Sequence, residues 1–144
     1  MEKTHRHGFT LIELMIVIAI IAILASLVLS TAGYVQKKGA RSRAEAEIAA
    51  VGAALESYKA DNGDYPTNAN SASSIALVTN LMPSSGKVYF EFKSKSTNST
   101  GWLDPFGSPY SYIYTNGSPN NGTNNYDLWS TAGGGSSNTW IKNW

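Results

Sequence analysis

At 144 residues and a formal charge of +1, the chain has room for one modest domain beyond its hydrophobic segment and no global field to draw in nucleic acid. It has no cysteine, so no disulfide can staple the soluble part and nothing marks a redox compartment. Both histidines, His5 and His7, precede Phe9, and no carboxylate pair sits at a catalytic spacing. General acid–base or nucleophilic work would fall to scattered acids and hydroxyls, so no enzyme activity and no catalytic residue is expected.

Met1 to Gly8 is short and polar, basic at Lys3 and Arg6. Gly8-Phe9-Thr10-Leu11-Ile12-Glu13 then leads into a run, Leu14 to Leu29, in which only Ser26 is polar. Phe9 to Leu29 is 21 residues, about 32 Å as a helix, against a hydrocarbon core of roughly 30 Å. No polar stripe of the kind a soluble helix carries interrupts it, so a membrane span is expected. An ordinary secretory signal is cut after its apolar stretch, whereas here a glycine precedes it. A cut after Gly8 leaves the segment attached as anchor and assembly surface, and glycine allows a peptidase close backbone approach. Losing Glu2, Lys3 and Arg6 takes the side-chain charge from +1 to zero. A competing reading has ordinary signal peptidase cut after Ser30-Thr31-Ala32, releasing a secreted binding domain; a run of 16 apolar-rich residues is slightly long for that.

A carboxylate in a membrane span is unfavourable by roughly 2.5–3.5 kcal/mol at mid-bilayer, less near the interface. Two readings of Glu13 are open. It caps the helix, a first-turn acid being favourable by about 0.3–1 kcal/mol with the dipole. Alternatively it pairs with the freed Phe9 amine of a neighbouring copy and sets the register of packed helices.

The stretch Gly8 to Ile21 resembles the class III signal of type IV pilins and type II secretion pseudopilins. The resemblance implies cleavage after Gly8 by a membrane prepilin peptidase on the cytoplasmic side, N-methylation of Phe9, and an assembly role for Glu13, the fifth mature residue.

Beyond Leu29 the pattern becomes amphipathic: Ala44, Ile48, Val51, Leu55 and Tyr58 fall on one helical face. Charged Arg41, Arg43, Glu45, Glu47, Glu56 and Lys59 surround it. The turn formers Asp61-Asn62-Gly63-Asp64-Tyr65-Pro66 end the helix, which from Phe9 to Ala60 would measure about 78 Å. Gly33, Gly39 and Gly52 mark either bends or close contacts. Lys37, Lys38, Arg41 and Arg43 after the span argue by the positive-inside rule for the opposite orientation, which the leader motif overrides. That basic cluster meets lipid headgroups or acids such as Glu45 and Glu47 of adjacent subunits, or is a solvated face.

In the head, Ser73 to Met82 reads as a short helix or an irregular packing piece. Lys87–Phe92, Tyr110–Thr115 and Tyr126–Thr131 read as strands, with a turn at Asp104–Pro109. The fold expected is α+β: a long N-terminal helix, transmembrane in its first half, packed on a small antiparallel sheet of about three strands, pilin-like. The segments are a leader at 1–8, a transmembrane and assembly helix at 9–30, its amphipathic continuation at 31–60, and a head at 61–144. The four tryptophans and eight tyrosines read as core and filament contacts rather than a carbohydrate platform. The sequons at Asn98, Asn116 and Asn121 read as loop composition.

Tyr58–Thr67, Asp104–Tyr110 and Tyr126–Ser130 resemble the junction, the aspartate-proline-aromatic-glycine turn and the strand before the calcium loop of the major pseudopilin, the G subunit of type II secretion. The resemblance implies a structural subunit of a secretion pseudopilus, a homo-oligomeric filament whose growth drives protein export. Its implied partners are prepilin peptidase, an inner-membrane assembly platform and minor pseudopilins. Its implied location is single-pass in the bacterial inner membrane with a periplasmic head, assembled into a periplasmic or surface filament. A type IV pilin for adhesion, motility or DNA uptake is the alternative; the missing disulfide and the G-like turns favour the pseudopilin. The likeness breaks after the strand, where the family places calcium-binding aspartates and this chain has Ala132-Gly133-Gly134-Gly135-Ser136-Ser137-Asn138. Asp104 and Asp127 remain, and backbone carbonyls are alternative ligands. No metal site and no cofactor is expected, with polar contacts or tryptophan packing closing the loop.

Overall fold

The computed structural model of the chain describes residues 8–67, 72–114, 120–122 and 124–144. Most of the leader, Thr115 and the Asn116 sequon lie outside them. The chain forms two compact units, Met1–Lys38 and Gly39–Trp144.

Helix α1 runs from Leu11 to Asn62, 52 residues, without a break at Gly33 or Gly39. It stops at Gly63, whose φ of 87° is left-handed and whose N–H bonds to the Lys59 carbonyl at 2.7 Å, a glycine C-terminal cap. In the first unit its side chains are exposed: every large apolar residue from Phe9 to Leu29 is at least 45% accessible. In the second unit Ala44, Ile48, Val51, Ala54 and Leu55 are buried, the face set by their three-and-four spacing. At Gly52 a β-carbon would stand 3.0 Å from the Tyr126 hydroxyl, so this glycine marks a close contact.

The same core takes in α2 (Ile75–Leu81) through Leu77 and Leu81. Ser74, just before α2, leaves the helix end uncapped by its side chain. Its buried hydroxyl instead accepts from the Trp102 N–H at 2.8 Å. Trp102 ends a hairpin of β1 (Thr97–Asn98) and β2 (Gly101–Trp102). A three-stranded antiparallel sheet follows in the order β3 (Ser111–Ile113), β4 (Asp127–Ser130), β5 (Ile141–Lys142). Tyr112 opposite Leu128 and Ser130 opposite Ile141 form its buried face. Trp129 opposite Lys142 lies on the other face.

The α+β architecture is as expected, with one strand exchanged. Lys87–Phe92 is not a strand. Its Tyr89 and Phe90 amides both donate to the Leu81 carbonyl, at 2.8 and 3.1 Å, closing the end of α2 instead of joining a ladder. Phe90 and Phe92 pack on Trp102, Phe92 edge-on at 5.4 Å, while Tyr89 packs on Tyr58. The third strand is β5, in the glycine-preceded tail.

Leu55→Ala empties a fully buried site on α1 and should lower head stability by about 2–5 kcal/mol. Leu24→Ala, at a side chain 57% exposed, should leave the urea midpoint of the detergent-solubilised full chain unchanged. All four tryptophans, at 102, 129, 140 and 144, report on the head in that measurement.

Candidate functional site

The candidate site is the start of α1. Thr10 and Glu13 form a capping box: the Glu13 carboxylate accepts from the Thr10 N–H at 2.8 Å and from its hydroxyl at 2.7 Å. The Glu13 N–H donates to Thr10 Oγ1 at 3.3 Å. This reciprocal arrangement satisfies helix-end donors that nothing else reaches in an apolar medium. Both bonds to the carboxylate fall on Oε2, leaving Oε1 without a hydrogen bond among the described residues. Capping and pairing with an external cation are therefore compatible uses of one side chain. Thr10 was missed in the sequence reading, although its signal, Thr-x-x-Glu ahead of an apolar run, is present.

Gly8 and Phe9 lie just ahead of the helix and both are exposed. A β-carbon added at Gly8 would meet nothing within 4 Å. The fold itself does not require glycine there, so the requirement falls on whatever acts on this bond.

The basic cluster divides. Arg41 pairs with Glu45 at 3.1 Å and Arg43 with Glu47 at 2.8 Å, each one helical turn away. Such pairs contribute about 0.3–0.5 kcal/mol. Glu47 also accepts from the Tyr110 hydroxyl at 2.9 Å. Burial, then this hydrogen bond, pushes the Tyr110 phenol far above its ordinary range, so it remains a donor. Arg41 and Arg43 are thus engaged within the subunit, whereas Lys37 and Lys38 are exposed and unpaired among the described residues.

At the C-terminal end of α1, the junction is held by two acids. Asp61 takes a hydrogen-bonded ion pair from Lys87, and Asp64 accepts from the Tyr114 hydroxyl. Among the described residues, no group of three acid or histidine side chains converges as a metal site would require.

The first 21 residues of the stem thus present an exposed apolar rod with a capped acid at its head, a form suited to insertion and lateral packing rather than to chemistry. A profile described as the prokaryotic N-terminal methylation motif matches residues 3–29. A second, described as type II secretion system protein G, matches residues 33–144. The chain belongs to the type II secretion system protein G family. It is 32% identical over 118 residues to the type II secretion system core protein G of Pseudomonas aeruginosa, covering 78% of this chain and 77% of that one. The core protein G of Aeromonas hydrophila is likewise 32% identical over 118 residues, covering 78% and 76%. That of Escherichia coli K12 is 34% identical over 110 residues, covering 73% and 70%. The crystal structure of the major pseudopilin from the type 2 secretion system of enterohaemorrhagic Escherichia coli aligns with a TM-score of 0.46 at 20% identity, over 79% of this chain and 94% of that one.

The junction acids give a pH dependence of defined sign. The Lys87 hydrogen bond holds the Asp61 carboxyl below the ordinary aspartate value of 3.8, and the Tyr114 hydrogen bond does the same for Asp64. A lowered folded-state pKa contributes stability that is fully present above 3.8 and is lost as pH falls through the folded value. Asp64→Asn should therefore flatten the loss of urea resistance between about pH 4 and about pH 2 while leaving the neutral-pH slope unchanged.

Proposed function

We infer that α1 does two successive jobs, anchoring the chain in the membrane and then forming the packed centre of a filament. The chain is a structural subunit of the type II secretion pseudopilus. The observation that carries the reading is the stem itself: apolar on every side from Phe9 to Leu29, with no buried side chain, and bearing one acid at its mouth.

Lipid and other copies of the same helix are the two environments that can cover such a rod. In lipid there is little hydrophobic drive for helices to associate, so packing and polar contacts set the arrangement. Prepilin peptidase cleaves after Gly8, and the new Phe9 amine is methylated. That amine then stands four residues ahead of Glu13. On a neighbouring copy it reaches Glu13 Oε1 while Oε2 keeps Thr10. One buried cation–anion contact per subunit fixes the axial stagger, because an unpaired charge there would be strongly unfavourable.

The head lies in the periplasm, with Lys37 and Lys38 at the outer leaflet, and carries the contacts to the assembly platform and minor pseudopilins. The role is structural and not catalytic: the residues that matter at the N-terminus are acted upon. Residues 1–8, 9–30, 31–60 and 61–144 serve as leader, anchor, connecting helix and head.

Glu13→Gln retains the cap's hydrogen-bonding shape but removes the charge. It should leave cleavage and membrane insertion intact and reduce sheared filament at least tenfold; filament at the unaltered level would exclude the ionic contact. Gly8→Leu should abolish processing, read as an intact mass that still includes the leader. A mature mass beginning at Gly33 in the unaltered protein would instead establish ordinary signal cleavage and refute the assembly reading.

A further inference from the structure

The segment after β4 departs from its family's pattern at the position of a calcium ion, and the donor set does not fit one. A calcium ion takes six to eight oxygen ligands, typically with carboxylates among them. Residues 131–139 contain no acid. Asp104 and Asp127, the acids on the neighbouring turn and strand, are already committed. Asp104 Oδ1 accepts from the Phe106 and Ser108 amides at 2.9 and 2.8 Å, and Oδ2 from the Ser130 hydroxyl at 2.5 Å. Asp127 accepts from the Asn120 side chain at 2.6 Å and from the Asn121 amide at 3.2 Å. Carbonyls in the loop are occupied too. Thr131 accepts from Gly134 and Gly135, and Ser136 from Thr139.

The loop nevertheless needs something to hold it. Ala132, Gly133 and Gly134 have φ of 52°, 86° and 95°, a consecutive left-handed run. Ala132 is the one described non-glycine residue with positive φ. Glycine adopts this region freely, but a non-glycine residue such as Ala132 persists there only where its surroundings over-determine it. The surroundings here are aromatic. Trp140, at the far end of the loop, stacks on Trp129 of β4 with centroids 6.0 Å apart and planes 12° apart. Its indole N–H donates back across the loop to the Gly135 carbonyl at 3.0 Å. Trp144 closes on Trp129 edge-to-face at 5.8 Å. Residues 140, 142 and 144 share one face of β5 by strand alternation, and the Lys142 ammonium sits 5.1 Å from the Trp144 ring. Arg41 of α1 fastens the same point, donating to the Thr139 carbonyl at 2.9 Å.

We propose that a tryptophan clamp, Trp140 on Trp129 with Arg41 behind it, closes the β4–β5 loop in place of a metal ion, so that the head of this subunit folds without a divalent cation. The clamp joins the loop's last residue to the strand preceding it. Because the stack and the indole hydrogen bond are independent of calcium, the subunit's stability and its resistance to proteolysis are set by sequence alone.

The test uses the full mature chain in detergent. Thermal unfolding is followed by tryptophan fluorescence in excess calcium chloride and in excess EDTA, with nicking by a non-specific protease mapped by intact mass. The unaltered protein should melt at one temperature in both conditions. Trp140→Ala should be nicked within residues 131–139 about tenfold faster, the loss of a ring stack and a hydrogen bond, and Trp140→Phe should fall between. A calcium-dependent rise in melting temperature of the unaltered protein would overturn the proposal, and that arm stands even if Trp140→Ala fails to fold. Nicking of a folded Trp140→Ala at the unaltered rate would overturn it as well.

Discussion

Between Phe9 and Leu29 the chain carries apolar side chains around the whole circumference of a helix and buries none of them. Covering a single leucine or isoleucine contributes about 1.5–3 kcal/mol, so water is not a tolerable solvent for this surface. Two environments remain, bilayer and like helices, and the proposed function takes the subunit from one to the other. Glu13 is the only formal charge between Phe9 and Leu29. In either environment its carboxylate needs donors, and its own chain supplies them through Thr10. In the assembly proposed above, the transfer from lipid to filament is a change of neighbours around an intact helix, and Oε1 is the carboxylate oxygen that Thr10 leaves open to a new neighbour.

The second half of the same helix obeys a different economy. From Ala44 onward only one face is apolar, and the aromatic residues of the head cover it. Several of those rings also use their hydroxyls: Tyr110 on Glu47, Tyr65 on Glu56 and Tyr112 on the Pro66 carbonyl. A core built on tyrosine can rest on a helix whose flanks are charged, because the Tyr110 and Tyr65 phenols bring donors to Glu47 and Glu56. Without disulfides, packing and these bonds hold the head.

Much of this was legible in the residues. The stem needed only the absence of a polar stripe, and the head face of α1 followed from the spacing of Ala44, Ile48, Val51 and Leu55. Tyr110 and Tyr112 alternate inward as a covered strand should. The error at Lys87–Phe92 has a definite cause: aromatic composition reports a need for packing, which Phe90 and Phe92 find on Trp102, not a strand partner, and the amides of Tyr89 and Phe90 go to the Leu81 carbonyl at the end of α2. The hairpin at Thr97–Trp102 and strand β5 are two residues per strand, too short for a period to register, although the 140–144 alternation carried a hint. Thr10 went unread because Glu13 drew attention as a charge in lipid and not as half of a capping box. Ser74 reads locally as a helix cap, yet its hydroxyl serves a strand 28 positions away, which no local pattern encodes.

The claim that the apolar stem packs against copies of itself can be tested on a background that contains no cysteine. Chains carrying Ile20→Cys and chains carrying Leu24→Cys, both positions exposed in the subunit, would be assembled together and oxidised in filaments and in membranes before assembly. The four-residue offset of Phe9 on Glu13 sets position 20 of one copy against position 24 of its neighbour, so the account predicts disulfide-linked pairs in the filament fraction of the mixture and little in the membrane fraction. Filaments of the mixture in which both positions stay unlinked and open to lipid-soluble thiol reagents would contradict it.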